Sequence, residues 1–296
     1  MTDIACLLEA EREQIEEALG RHLPREGEYP ERIHEAIRYA SLDGGKRLRP
    51  IITFAATEAL GYDRASVVKV ACAIEFVHCC SLVLDDLPSM DDAETRRGRP
   101  TTHRAFGVAT AILAADALLM HAFKLVAENG VDVGAGGERL AAAIRGLATA
   151  VGSFGMVGGQ HVDLEAASRD RIDEQTLEYI LSRKTGSLFA AAATIGGTLL
   201  GASESDLACL DRYARALGLA YQIVDDILDA TGDAAVLGKD VGKDANRNSF
   251  VTVHGVGAAR EAASGLLGGA REILGDLDGD GEVLSAIADF CLERTR

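Results

Sequence analysis

The sequence has no tryptophan, and aromatic residues make up only 5% of it. Alanine and leucine must therefore fill most of the core, which suits helices packed closely through small side chains. Five prolines in 296 residues cannot mark many linkers. No segment sustains the period-2 alternation of a half-buried strand. The six cysteines (Cys6, Cys72, Cys79, Cys80, Cys209 and Cys291) form no C-x-x-C pair. Neither a disulfide framework nor a zinc ribbon is expected, and the thiols read as reduced core residues in a cytoplasmic protein. The N-terminal stretch MTDIACLLEAEREQIEEALG has no basic segment leading into an apolar run, so it does not read as a signal peptide. The charge-free stretch Ser187–Ser203 is shorter than the ~20 residues of a spanning helix. It is also rich in Ala, Gly and Thr, so a buried helix is expected and an integral membrane protein is not. Positive charge is scarce: 30 Lys and Arg against 46 Asp and Glu give a net charge of −16. Such a field repels nucleic acid and anionic lipid. An anionic substrate would have to be held by a local basic cluster or by metal ions.

Hydrophobic residues reach 48% and charged residues 26%, enough for a large core with an ordinary soluble surface. Apolar positions recur at three- and four-residue spacing, which predicts one all-α domain over 1–296. Val67, Ala71, Ile74, His78, Ser81 and Asp85 share a helical face that must end or kink by Pro88. Ser203 and Asp206 resemble a capping box opening a second stripe from Leu207 to Leu228, with Gly232 placed to close it. Other helices are expected near 3–20, 30–42, 50–60, 104–127, 137–152, 174–184, 187–200, 256–273 and 281–294. Asp276, Asp278, Asp280 and Gly281 begin like a calcium loop. The twelfth position is Ile287 where Glu is needed, so the segment reads as a turn.

Two acidic clusters stand out. DDLPSMDD supplies Asp85, Asp86, Asp91 and Asp92 at a helix break, and DDILD supplies Asp225, Asp226 and Asp229. Asp225 and Asp229 are four apart on one helix face, where like charges repel. Each cluster follows an apolar run (SLVL, YQIV), so water should screen it incompletely and a cation should accompany it. Oxygen donors suit hard cations, and magnesium takes only one or two carboxylates before completing its shell with water and phosphates. The basic residues are grouped as well. GGKRLRP places Lys46, Arg47 and Arg49 near a helix N-terminus, where cations oppose the macrodipole but anions bind. RRGRPTTH adds Arg96, Arg97, Arg99 and His103, and Lys184 and Lys239 follow in KTGSLF and GKD. His78 and His161 each read as either core residue or ligand.

Taken in order, GGKRLRP, DDLPSMDDAETRRGRPTTH, GQHVDL, KTGSLF, YQIVDDILD and GKD resemble the short-chain trans-isoprenyl diphosphate synthases. The resemblance runs from residue 44 to residue 240. It implies a bundle of mostly antiparallel helices around a deep central cavity, usually in a homodimer. It also implies condensation of isopentenyl diphosphate with an allylic diphosphate, assisted by three magnesium ions. By that resemblance Asp85, Asp91 and Asp225 would bind metal, with Asp86, Asp92 and Asp229 in support. Lys46, Arg49, His78 and Arg97 would hold the diphosphate of isopentenyl diphosphate. Arg96, Lys184 and Lys239 would hold the allylic diphosphate, and Thr185 and Gln222 would line the reacting carbons. No nucleophile of the serine or cysteine type is required.

Product length should depend on the side chains one turn before Asp85, Cys80 and Ser81. In the family a bulky aromatic at the Cys80 position tends to stop growth at fifteen carbons. Both residues are small here, and the surrounding stretch looks most like bacterial geranylgeranyl diphosphate synthases, which implies a twenty-carbon product. A farnesyl diphosphate synthase and a non-catalytic regulatory subunit are the alternatives. A class I terpene cyclase fits less well, because DDILD and the Lys46–Arg49 set point to a second diphosphate.

Overall fold

The computed structural model describes residues 4–42, 44–169, 172–231 and 249–293. Its helices in chain order are α1 (Ile4–His22), α2 (Glu31–Ser41), α3 (Leu48–Ala59), α4 (Val68–Asp85), α5 (Thr102–Phe106), α6 (Val108–Asp132), α7 (Gly137–Val151), α8 (Met156–Ala166), α9 (Glu174–Ile180), α10 (Ser187–Leu200), α11 (Glu204–Thr231), α12 (Phe250–Ile273) and α13 (Glu282–Glu293). Between α4 and α5 lies a two-residue antiparallel pair, β1 (Thr95–Arg96) and β2 (Arg99–Pro100), with Arg96 opposite Arg99. A π turn, Leu181–Gly186, joins α9 to α10. The expected all-α class is what the chain adopts.

Two helices are apolar nearly all round and therefore sit at the centre. α4 packs on α3, α6 and α10, and α10 packs on α3, α7 and α11. The lack of large rings is met by close approach. An added Cβ at Gly196 would lie 3.0 Å from Thr57 Oγ1, and one at Gly218 would lie 3.1 Å from both Gly186 Cα and the Phe189 side chain. Helices brought this near make many dispersion contacts without bulky side chains. A second, smaller apolar cluster of Leu177, Leu181, Ile223, Val224, Ile227, Ala259 and Ala263 joins the π turn to α11 and α12.

Several local expectations are corrected. The single helix expected at 104–127 is two, broken at Gly107 (φ 90°) and extended to Asp132. The last long helix opens at Phe250 rather than 256, because Ser249 and Thr252 form a full capping box ahead of a kink at Gly255 (φ 81°). The Ser203 box is half made. Asp206 N–H donates to Ser203 Oγ at 3.1 Å, but the Asp206 carboxylate accepts from Asp278 N–H rather than from the Ser203 backbone. α8 was not foreseen, since its glycine-rich sequence MVGGQHVDLEA carries no clean apolar stripe. The acidic 276–280 turn docks on α3, with Asp280 N–H donating to Ala59 O at 3.1 Å. The expected helix stop at Gly232 lies outside the described residues.

The glycines of α8 explain its place. A Cβ on Gly159 would meet the backbone N of Lys184 at 2.3 Å, so only glycine lets α8 lie on the π turn. Gly159→Ala must push one backbone away from the other and should cost about 1–3 kcal/mol. Urea unfolding of the variant checks this, and an unchanged midpoint would show that the contact yields freely.

Candidate active site

α4 ends at Asp85, and the chain folds back on that end. Asp91 N–H donates to Asp85 O at 2.9 Å, Asp92 N–H to Leu87 O at 3.0 Å and Ala93 N–H to Asp86 O at 3.2 Å. The turn thereby brings Asp85 and Asp91 together. Burial pushes the Asp85 carboxyl up to about 6, against the pull of Lys184 and with the help of Asp91. Asp86 turns to Arg96 in an ion pair of 2.6 Å, with both Nε and Nη2 of Arg96 donating. Asp92, at φ 45°, is exposed and faces Arg104 at 3.3 Å. The three supporting roles foreseen from sequence thus start from different surroundings: Asp86 is buried and paired, Asp92 lies at the rim, and Asp229 is half-buried near the end of α11.

The π turn borders both acidic elements. Lys184 donates to Asp163 of α8 at 2.7 Å and also acts on Asp85. Next to it, the Thr185 hydroxyl donates to Gln222 Oε1 at 3.0 Å, and Gln222 Nε2 donates to Asp226 Oδ1 at 3.1 Å. Asp226 also accepts from Phe250 N–H at 3.1 Å. Burial lifts Asp226 to about 6, opposed by those bonds and helped by Asp225 and Asp229. A π turn widens the helix by one residue and is frequent at functional sites. Here it packs on α8, α10 and α11 and sets Lys184, which acts on Asp85, next to Thr185.

The basic residues gather beside this. Lys46 lies over the Tyr221 ring at 6.0 Å, and the Arg49 guanidinium lies over the Phe189 ring at 4.6 Å. Burial lowers the pKa of Arg49, while the charges of Tyr221, Glu75 and Asp225 raise it. Arg49 Nε is buried and bonded to nothing in the protein, which is how a guanidinium prepared for an incoming anion would stand. Burial drives His78 well below its ordinary value, and Arg49, Arg97, Arg47 and Arg96 push it further down. It is a neutral imidazole among arginines and can donate one N–H to an anion. Arg47 departs from its neighbours: it is buried and its guanidinium is fully engaged, so it belongs to the scaffold. His161 is exposed and lies 3.5 Å from Glu165. Lys239 lies outside the described residues. Cys80 is buried, and the Ser81 hydroxyl donates back to His78 O at 2.8 Å.

Sequence reasoning passed over three residues. Asp163 stands in the GQHVDL motif three positions after Gln160, a helical spacing that was legible. Asp226 stands inside DDILD but was not assigned. Glu75 lies three residues before His78, close to the stripe that was traced.

The acidic donors are all oxygen, and two of them are desolvated. Among the described residues no three Asp, Glu, His or Cys side chains converge on one point. A zinc or calcium cage is therefore not what these residues form. They fit an ion that uses one or two carboxylates and takes its remaining ligands from water and phosphate.

Comparison with known proteins agrees. Residues 30–273 match the family model for polyprenyl synthetase. The chain is 40% identical over 286 residues to a dimethylallyltranstransferase of Fischerella ambigua, covering 96% of this chain and 82% of that one. It is 39% identical over 285 residues to a geranylgeranyl diphosphate synthase of Cyanophora paradoxa, covering 96% and 94%. The solved geranylgeranyl pyrophosphate synthetase of Pyrococcus horikoshii superposes with a TM-score of 0.88 at 31% identity over 98% of each chain. An FPP/GFPP synthase of Zymomonas mobilis gives 0.86 at 33% over 98% of each. With the acidic turn after α4, the DDILD face of α11 and the basic loop before α3 all in the family's order, the chain belongs to the polyprenyl synthetase family of prenyltransferase enzymes.

Proposed function

We propose that this chain condenses isopentenyl diphosphate with an allylic diphosphate (dimethylallyl, geranyl or farnesyl) and releases geranylgeranyl diphosphate. The observation that carries this is the pairing of two charge sets around the π turn: desolvated Asp85 acted on by Lys184 and desolvated Asp226 tied to Thr185 through Gln222, and Arg49 and His78 in a nest of arginines. Asp85, Asp91 and Asp225, supported by Asp86, Asp92 and Asp229, would hold magnesium, three ions as the family uses them. When bound, magnesium neutralises diphosphate charge as a Lewis acid. Arg96, Lys184 and Lys239 receive the allylic diphosphate, and their charge favours the departure of that group with the electrons of the C–O bond. Lys46, Arg49, His78 and Arg97 hold isopentenyl diphosphate so that its double bond meets the resulting allylic cation. Thr185 and Gln222, bonded to each other, flank the reacting carbons. The new C–C bond leaves a cation that loses a proton to the departed diphosphate. Phe189 and Tyr221, with ring centroids 5.6 Å apart, help keep water from the cation.

We further read the chain as a homodimer. Val108, Ile112, Leu113 and Met120 present an apolar stripe on the outer face of α6, with Leu113 57% exposed. Three stretches, Arg64–Asp85, Val108–Asp132 and Gly137–Ala166, are long and apolar enough to cross a membrane by length and composition. A subunit contact accounts for the outer face of α6, where Asp116 and Lys124 interrupt the stripe. Six unbridged cysteines, five of them buried, support a reducing compartment such as the cytoplasm.

Three kinds of outcome are expected, the first from product and rate assays. Purified protein with magnesium, labelled isopentenyl diphosphate and each allylic primer should yield a twenty-carbon alcohol after dephosphorylation. Cys80→Phe should shift the product toward fifteen carbons, and Asp85→Asn should lower kcat/KM at least about a hundredfold, the scale of several kcal/mol of lost charge stabilisation. A fifteen-carbon wild-type product would mean a farnesyl diphosphate synthase, and no elongation with folded protein would mean a regulatory subunit.

The second outcome concerns pH. Asp85 and Asp226 hold protons up to about 6 in the metal-free fold, against 3.8 for the free side chain. Folding therefore binds extra protons between those values, so the stability these groups contribute is present at low pH and lost as pH rises through about 6. Magnesium held by Asp85 must displace the proton on that group. Calorimetric magnesium affinity should climb from pH 5 to pH 7 and then level off, and a flat profile would contradict the assignment. Third, Leu113→Glu should turn dimers into monomers by light scattering after size exclusion, and an unchanged mass would place the subunit contact elsewhere.

A further inference from the structure

Glu75 sits in the middle of α4 and is 2% exposed. A carboxylate buried that deeply is costly unless it is paired. Its Oε1 accepts from Arg47 Nη1 at 2.6 Å and lies 4.0 Å from Arg97 Nη2. Arg47 is engaged on every side: Nε donates to Glu16 at 2.8 Å and Nη2 to Ser41 O at 2.7 Å. Its backbone is left-handed, φ 49°, a conformation that a non-glycine residue holds only when its surroundings enforce it. The same loop wraps Arg97. A Cβ on Gly45, φ 91°, would fall 2.6 Å from Arg97 Nη2 and displace the guanidinium.

Lys46 and Arg49 flank Arg47 on either side, and His78 follows Glu75 by one turn on α4. The charge of Glu75 also acts on Arg49. Two described cations of the proposed allylic set, Arg96 and Lys184, have other acidic partners, Asp86 and Asp163.

We infer that Glu75 is a positioning residue for one substrate only: by pinning Arg47 and bracing Arg97 it shapes the subsite that takes isopentenyl diphosphate. It touches neither substrate. It fixes the loop and first turn of α3 whose Lys46 and Arg49, with Arg97 and His78, meet the diphosphate, and it leaves Arg96 and Lys184 to their own partners. This rests on the proposed function of those four residues.

The test measures KM for each substrate separately in magnesium-loaded full-length enzyme. Glu75→Gln removes the charge. Arg47→Lys keeps a charge but loses the three-way anchorage, and it decides the matter if Glu75→Gln does not fold. Either variant should raise KM for isopentenyl diphosphate at least about tenfold, while KM for the allylic diphosphate stays within about twofold. A merely structural role would raise both constants together, or lower kcat with neither changed, and either result overturns the inference. Unchanged kinetics overturns it too. A wild-type protein that elongates no primer in the same assay brings down the proposed function itself, whereas an active wild type with a parallel rise sinks only the role of Glu75.

Discussion

Charge taken out of water at the ends of α4 and α11 is the constraint around which this molecule is arranged. Burial holds Asp85 and Asp226 well above the ordinary carboxylate range, and it depresses Arg49 and His78 on the basic side. Desolvated like charges are unfavourable on their own. Where the protein needs rigidity it satisfies such charges internally, as in Arg47–Glu75, Arg96–Asp86 and Lys184–Asp163. Arg49 Nε is left with no partner from the protein. A site built this way suits an anion and a cation together, as the proposed metal-bound diphosphate would supply.

The helix packing makes this possible. Small residues let α8 and α11 pack closely on the π turn that carries Lys184 and Thr185. Gly159 admits the Lys184 backbone, and Gly218 admits Gly186 and Phe189. The scarcity of aromatics and the abundance of alanine are therefore parts of the site's geometry, not only of the core. The few rings present lie near the charges: Phe189 under Arg49 and Tyr221 near Lys46.

Much of this was legible in the amino-acid sequence. Apolar periodicity located α4 and α11, and Pro88 explained why the first acidic cluster falls at a break. The ordered motifs identified the family and its candidate ligands. What stayed hidden depends on partners far apart in the chain. Arg47 looked like one more member of a basic loop, yet its partners are Glu16 and Glu75, in α1 and α4. Glu75 lies off the stripe traced through this helix, so nothing in the sequence singled it out. α8 escaped because its glycines, which suit it to lie on the π turn, erase the stripe by which a helix is read. The π turn itself has no sequence signature at this level, since it is imposed by packing against α8 and α11.

The measurement that tests the account most directly is thermal stability with magnesium alone, inorganic diphosphate alone, and both together. Ligands that bind the native state raise its stability according to their affinity. If desolvated carboxylates and the basic nest are neutralised by a metal and diphosphate acting as a unit, the two together should raise Tm by clearly more than the sum of their separate effects. A purely additive shift, or none, would contradict that reading of the site.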